Sequence, residues 1–147
     1  MDRQVILQSI LLSSPEIIVI LGACLLLFVA LMKNKHQATI LTGLSLAIVA
    51  FAASATVMLS AEPQSAYGGT FVVDGFANFF KAVFYVAAAL VLLMSGRYLA
   101  EENIVEGEYH ALILFALSGM MIMASGRDLL VIYMGLELQA LAFYVLA

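Results

Sequence analysis

The chain has 147 residues, of which 65% are hydrophobic and 11% charged, and its mean hydropathy is +1.10. A soluble domain is about 45–50% apolar and about 25% charged, so this chain has too little polar sequence to cover a globule in water. Six Lys and Arg against ten Asp and Glu leave a net charge of −4 with no basic stripe, which excludes a nucleic-acid partner. What remains is an all-α fold, a multi-pass transmembrane helical bundle in a lipid bilayer.

Five apolar segments are predicted as spans, at about 15–32, 38–59, 75–98, 109–125 and 129–147. The first begins at Pro15, a residue tolerated in an opening helical turn, and closes on Lys33 and Lys35. It has no small-residue cleavage pattern and reads as a retained span rather than a signal peptide. The second is rich in small residues (Gly43, Ser45, Ala47, Ala50, Ala52, Ala53, Ser54, Ala55), which let helix backbones approach closely. A loop from Ser60 to Asp74 follows. There Gly68-Gly69 and the extended Thr70-Phe-Val-Val73 suggest a hairpin on the membrane surface.

The third span carries Lys81 within its first two turns, about 9 Å from the helix start at Gly75. From there its side chain is expected to extend to the interface, with a place in a charge path as the alternative. An acidic connection, Glu101, Glu102, Glu106 and Glu108, leads to the fourth span. Gly126-Arg127-Asp128 is so short a link that spans four and five must be antiparallel neighbours. Asp128 fits the N-cap of the fifth helix, a local role preferred over one in a proton path.

Cys24 has no partner in the chain, which excludes an intrachain disulfide and a structural zinc site of its own making. His36 and His110 each adjoin a helix end and read as interfacial residues rather than metal ligands. The Phe and Met clusters (Phe76, Phe79, Phe80, Phe84; Met120, Met121, Met123) read as lipid-facing and packing surface, not a cofactor pocket.

Glu137 stands in the middle of the apolar fifth span, Leu129 to Leu146. Counted from the helix start it lies roughly 13 Å into a hydrocarbon core about 30 Å thick. A carboxylate at that depth costs at least ~2.5 kcal/mol on insertion scales, so such residues tend to serve a function, and proton exchange is the chemistry they offer. Tyr133, one turn earlier, is placed to donate a hydrogen bond to it, and Gly135 and Ala140 leave room for a helix or water. Glu137 is therefore the leading candidate for proton translocation, with Lys81, Asp128 and Tyr133 as secondary candidates.

The run Gly107-Glu-Tyr-His110 through Ser125, then Arg127-Asp-Leu-Leu130 and Gly135-Leu-Glu-Leu138, resembles the antiporter-like membrane subunits of respiratory complex I. Among these it is most similar to subunit N of the bacterial NADH:quinone oxidoreductase. Phe71-Val-Val-Asp-Gly-Phe-Ala-Asn-Phe-Phe-Lys81 and Pro15-Glu16 match as well. The resemblance implies the N-terminal part of a longer protein with two inverted five-helix repeats. Glu137 matches the fifth-helix Glu that, in such subunits, pairs with a Lys two helices later; that Lys would lie beyond Ala147. It further implies a proton-translocating subunit in the bacterial inner membrane, working with other membrane subunits. NAD, FMN, iron–sulfur clusters and quinone are expected in partner subunits and no cofactor in this chain.

A cation/proton antiporter subunit, a related membrane-bound hydrogenase or dehydrogenase component, and a purely structural scaffold are the alternatives. Orientation follows Lys33, Lys35 and Arg97 against the base-free loop 60–74, and places the N-terminus outside.

Overall fold

The computed structural model describes residues 3–31, 37–59, 63–102 and 106–147. Lys33, Lys35, His36, Ser60 and Glu62 lie outside the described residues. Among the described residues six helices dominate: α1 (Arg3–Leu12), α2 (Ser14–Ala30), α3 (Gln37–Leu59), α4 (Gly75–Glu102), α5 (Glu106–Ser125) and α6 (Leu129–Leu146). Two short strands, β1 (Gln64–Ala66) and β2 (Phe71–Val73), sit between α3 and α4. Long apolar runs fold this way because a helix satisfies its own backbone hydrogen bonds, the only economical solution in hydrocarbon for an open chain.

Helices α3 and α6, with the segments Gly75–Ser95 of α4 and Gly107–Ser125 of α5, are each long and apolar enough to cross a membrane. A fifth crossing arises if α1 and α2 count as one broken span. Those two helices meet at a 66° bend. Pro15 explains the bend, since it offers no N–H to the preceding turn and its ring clashes with the carbonyl four residues back. Ser13 takes up the slack at the corner, its hydroxyl donating to the Ser9 carbonyl at 3.1 Å. Sequence reading began the helical part at Pro15 and missed α1.

Helices α2, α3, α4 and α5 form a ring in which neighbours in the order α2–α3–α4–α5–α2 pack closely, while α2 and α4 face each other across the diagonal with little direct contact. Val19, Ala23, Leu26, Leu41, Val49, Tyr85, Leu92, Leu114, Leu117 and Met121 fill the core. Helix α6 lies outside the ring against α5. Two glycines set that approach: an added Cβ on Gly119 would stand 2.6 Å from the Gly135 carbonyl oxygen, and one on Gly135 would stand 2.8 Å from the Gly119 carbonyl oxygen. The room that Gly135 leaves is thus filled by α5.

The strands pair antiparallel, with Gln64 opposite Val73 and Ala66 opposite Phe71. Tyr67, Gly68 and Gly69 turn the hairpin with φ of 52°, 70° and 92°. Two glycines take such angles freely, whereas Tyr67 incurs strain of about 1–2 kcal/mol. Its side chain is held in compensation, the hydroxyl 2.9 Å from Ser13 Oγ and the ring edge-on to Phe71 at 6.2 Å between centroids. The Arg127 amide donates to the Thr70 carbonyl at 2.9 Å, and Phe71 bridges to Gly126. The hairpin, the α1–α2 corner, the start of α4 and the α5–α6 link therefore meet at one end of the bundle.

Candidate functional site

Asp128 opens α6 in extended conformation (φ −97°, ψ 140°) and accepts a hydrogen bond from the Leu130 amide at 3.3 Å. The cap answers the unpaired amides of the first turn. It sets Glu137 as the ninth residue of an 18-residue helix, about 12 Å along its axis. Gly135 and Ala142 are buried against the ring, and Glu137, Tyr133, Leu141 and Tyr144 occupy exposed positions on α6. Tyr133 and Glu137 stand one helical turn apart at exposed positions of α6. Gln139, two residues after Glu137, lies against the backbone of Gly119.

A second carboxylate was not singled out by sequence reasoning. Glu16 stands in the first turn of α2 and is 3% exposed; Lys81 on α4 is 1% exposed. Their charges meet across the α2–α4 diagonal, with Lys81 Nζ 2.6 Å from Glu16 Oε1. The approach is close but lies off hydrogen-bonding geometry, and neither carboxylate oxygen has a hydrogen-bond partner among the described residues. An ion pair is the appropriate description, since distance and opposite charge define it whatever the alignment.

Lys81 thus does not extend to the interface, contrary to the expectation from its position near a helix start. The physical reason is a competing anion inside the ring and a lid over the nearer end. The hairpin residue Phe71 presents its ring 5.4 Å from Nζ, a cation–π contact that closes off that route. Nor does Lys81 serve as a base for Glu137, because it is engaged by Glu16 while α6 packs on α5 rather than on α4.

One turn beyond Lys81, the Tyr85 hydroxyl lies 2.8 Å from Thr56 Oγ1, whose own hydroxyl donates to the Ala52 carbonyl at 3.0 Å. Before Lys81, Asp74 caps α4 by accepting from the Ala77 amide at 2.8 Å. Two further buried oxygens at this end, Asn78 Oδ1 and Ser125 Oγ, have no hydrogen-bond partner among the described residues.

His110 departs from the interfacial reading: it is 1% exposed, with Nε2 3.1 Å from Thr42 Oγ1. Helix α5 begins at Glu106 rather than at Tyr109, so His110 is its fifth residue. Phe76 and Phe79 are exposed and Met121 is fully buried, so the aromatic and Met clusters divide between outer surface and core.

No protein-family model matches the chain. Sequence relatives are nonetheless numerous. NADH-quinone oxidoreductase subunit N 2 of Rhizobium meliloti is 51% identical over 146 residues, which is 99% of this chain and 30% of that protein. Subunit N of Rhodospirillum rubrum is 43% identical over 95% of this chain and 30% of its own length. Subunit N of Dehalococcoides mccartyi is 41% identical over 90% of this chain and 27% of its own length. The chain spans about a third of the length of the curated relatives it matches. By sequence, the family to which this stretch is related is that of the NADH-quinone oxidoreductase N subunits.

Proposed function

We propose that this chain is the part of a proton-translocating membrane subunit of an NADH:quinone oxidoreductase that carries one proton-exchanging carboxylate, Glu137. The observation that supports this most is the placement of Glu137 midway along an apolar helix, exposed on α6 outside the helical ring. A charged group at such depth serves as a step for ions or protons, and it needs a polar partner to receive the proton. Tyr133 stands one turn before the carboxylate, and Asp128 fixes the depth by starting the helix. The electron carriers (NAD, FMN, iron–sulfur clusters and quinone) belong to partner subunits, and this chain contributes side-chain carboxyl chemistry only. Other membrane subunits of the complex are its protein partners, and the bacterial inner membrane is its location.

Glu137→Gln in the complete protein, within its complex, is expected to lower proton pumping while leaving assembly and electron transfer intact. Glutamine keeps size and hydrogen bonding but carries no exchangeable acid proton. Pumping at the wild-type proton-to-electron ratio would remove Glu137 from the path. Glu137→Asp keeps the titratable group and is expected to be milder.

In this reading the N-terminus and the hairpin end face the outside, in line with the retention of short basic segments inside. In a Cys24→Ser background, Ser65→Cys and Glu108→Cys are expected to be labelled from opposite sides of the membrane by an impermeant thiol reagent. Labelling from one side alone would overturn the orientation and the crossing by α4 together.

A further inference from the structure

We infer that Glu16 and Lys81 form a second proton-exchange pair, internal to the helical ring and hydrated from the hairpin end. The inference rests on the proton-translocating reading above and adds to it a site on different helices. Three observations carry it. The pair is nearly sealed, at 3% and 1% exposure, and spans two helices that otherwise touch little. Both oxygens of the Glu16 carboxylate are buried without a hydrogen bond from any described residue, although an ionised carboxylate has about four acceptor sites to satisfy. Two more unpartnered oxygens are tied to the same end. Asn78 lies one turn before Lys81, and Ser125 adjoins Gly126, which bridges to Phe71 beneath the ammonium.

Buried polar atoms left unmatched by protein are the positions that internal water serves, each such water typically making about three hydrogen bonds. A purely structural ion pair satisfies its carboxylate with further donors; this one leaves it open. The ionisable surroundings are few. Lys81 and Tyr85 come from α4, the facing α3 contributes the Thr56 hydroxyl, and α5 has no ionisable side chain between His110 and Arg127.

The exchange step is simple. While the Lys81 ammonium holds the carboxylate, Glu16 stays ionised. When the ammonium swings away and its contact with the Phe71 ring opens, a hydronium ion arriving by the hairpin-end water transfers its proton to Glu16, forming an O–H bond and leaving water. The returning ammonium favours the anion, the O–H bond breaks, and the proton passes to a neighbouring water. The opening of α2 against α4 is sterically undemanding because their backbones are not packed together.

The test uses the complete complex reconstituted in vesicles. Glu16→Gln/Lys81→Met removes both charges together, so no lone charge is left buried, and it is expected to sustain wild-type electron transfer with loss of this subunit's share of pumped protons. Glu16→Asp keeps both charges and is expected to restore pumping. An unchanged proton-to-electron ratio in the double variant overturns the inference. If Glu137→Gln still lowers the ratio in the same assay, only the second pair has failed; if neither lowers it, the underlying reading has failed too. Should the double variant not assemble, infrared difference spectra of the working complex decide. A protonated-carboxyl band that appears on turnover and shifts in Glu16→Asp supports the exchange, because a static ion pair produces none. A spectrum in which no carboxyl band differs between Glu16→Asp and wild type overturns it.

Discussion

Two carboxylates of this chain, Glu16 and Glu137, stand in contrasting surroundings. Glu16 opens α2 inside the four-helix ring, sealed under the hairpin and matched at 2.6 Å by Lys81. Glu137 sits midway along α6, in an exposed position with Tyr133 as its described neighbour. A charge carried into hydrocarbon has to be answered somewhere. The first is answered within the ring, so the ring is electrically closed. The second has no opposite charge among the described residues.

That contrast predicts opposite responses to neutralisation. Removing one member of a buried pair strands the other, and the usual cost is about 3–5 kcal/mol. Lys81→Met is therefore expected to lose most of the assembled complex, measured as subunit yield after mild extraction and as the thermal inactivation midpoint. Removing both members is often close to neutral, so Glu16→Gln/Lys81→Met is expected to recover most of that loss. A single Lys81→Met variant as stable as wild type would show that the pair is not sealed. Glu137→Gln, measured the same way, is expected to cost less than Lys81→Met, because it strands no partner charge among the described residues. The comparison is broken if its stability cost approaches that of Lys81→Met.

Much of the architecture is legible in the sequence because membrane helices are written as uninterrupted apolar runs, and the tight Gly126-Arg127-Asp128 link fixes α5 against α6. The hairpin is legible from Gly68-Gly69 and the extended residues after them. Glu137 stands out because a charge within an apolar run needs no partner to be noticed. The Glu16–Lys81 pair is hidden for the opposite reason. Glu16 in a first turn reads as a complement to the helix dipole, and Lys81 near a helix start reads as a side chain reaching for water. Only the ring, which brings α2 and α4 to face each other, and Phe71 closing the end reveal that the two are one feature. His110 was misplaced by a smaller error. It lies one turn from the start of α5 but faces the bundle, 1% exposed and 3.1 Å from Thr42 Oγ1, and position along the chain does not disclose that face.

The smallest expected effect concerns the depth of Glu137 rather than its charge. Asp128 holds the start of α6 by one exposed hydrogen bond of 3.3 Å to the Leu130 amide. Replacing a helix cap with alanine typically costs about 1 kcal/mol, and the length and exposure of this bond place it towards the lower end of the usual range. Asp128→Ala is thus expected to lower the thermal midpoint slightly, with Asp128→Asn nearly silent because asparagine keeps an acceptor. Pumping should follow the same order, since a frayed first turn leaves Glu137 eight residues further along largely in place. Loss of pumping in Asp128→Asn with stability unchanged would mean that the charge itself is used. Asp128 would then take part in proton exchange instead of merely setting where α6 begins.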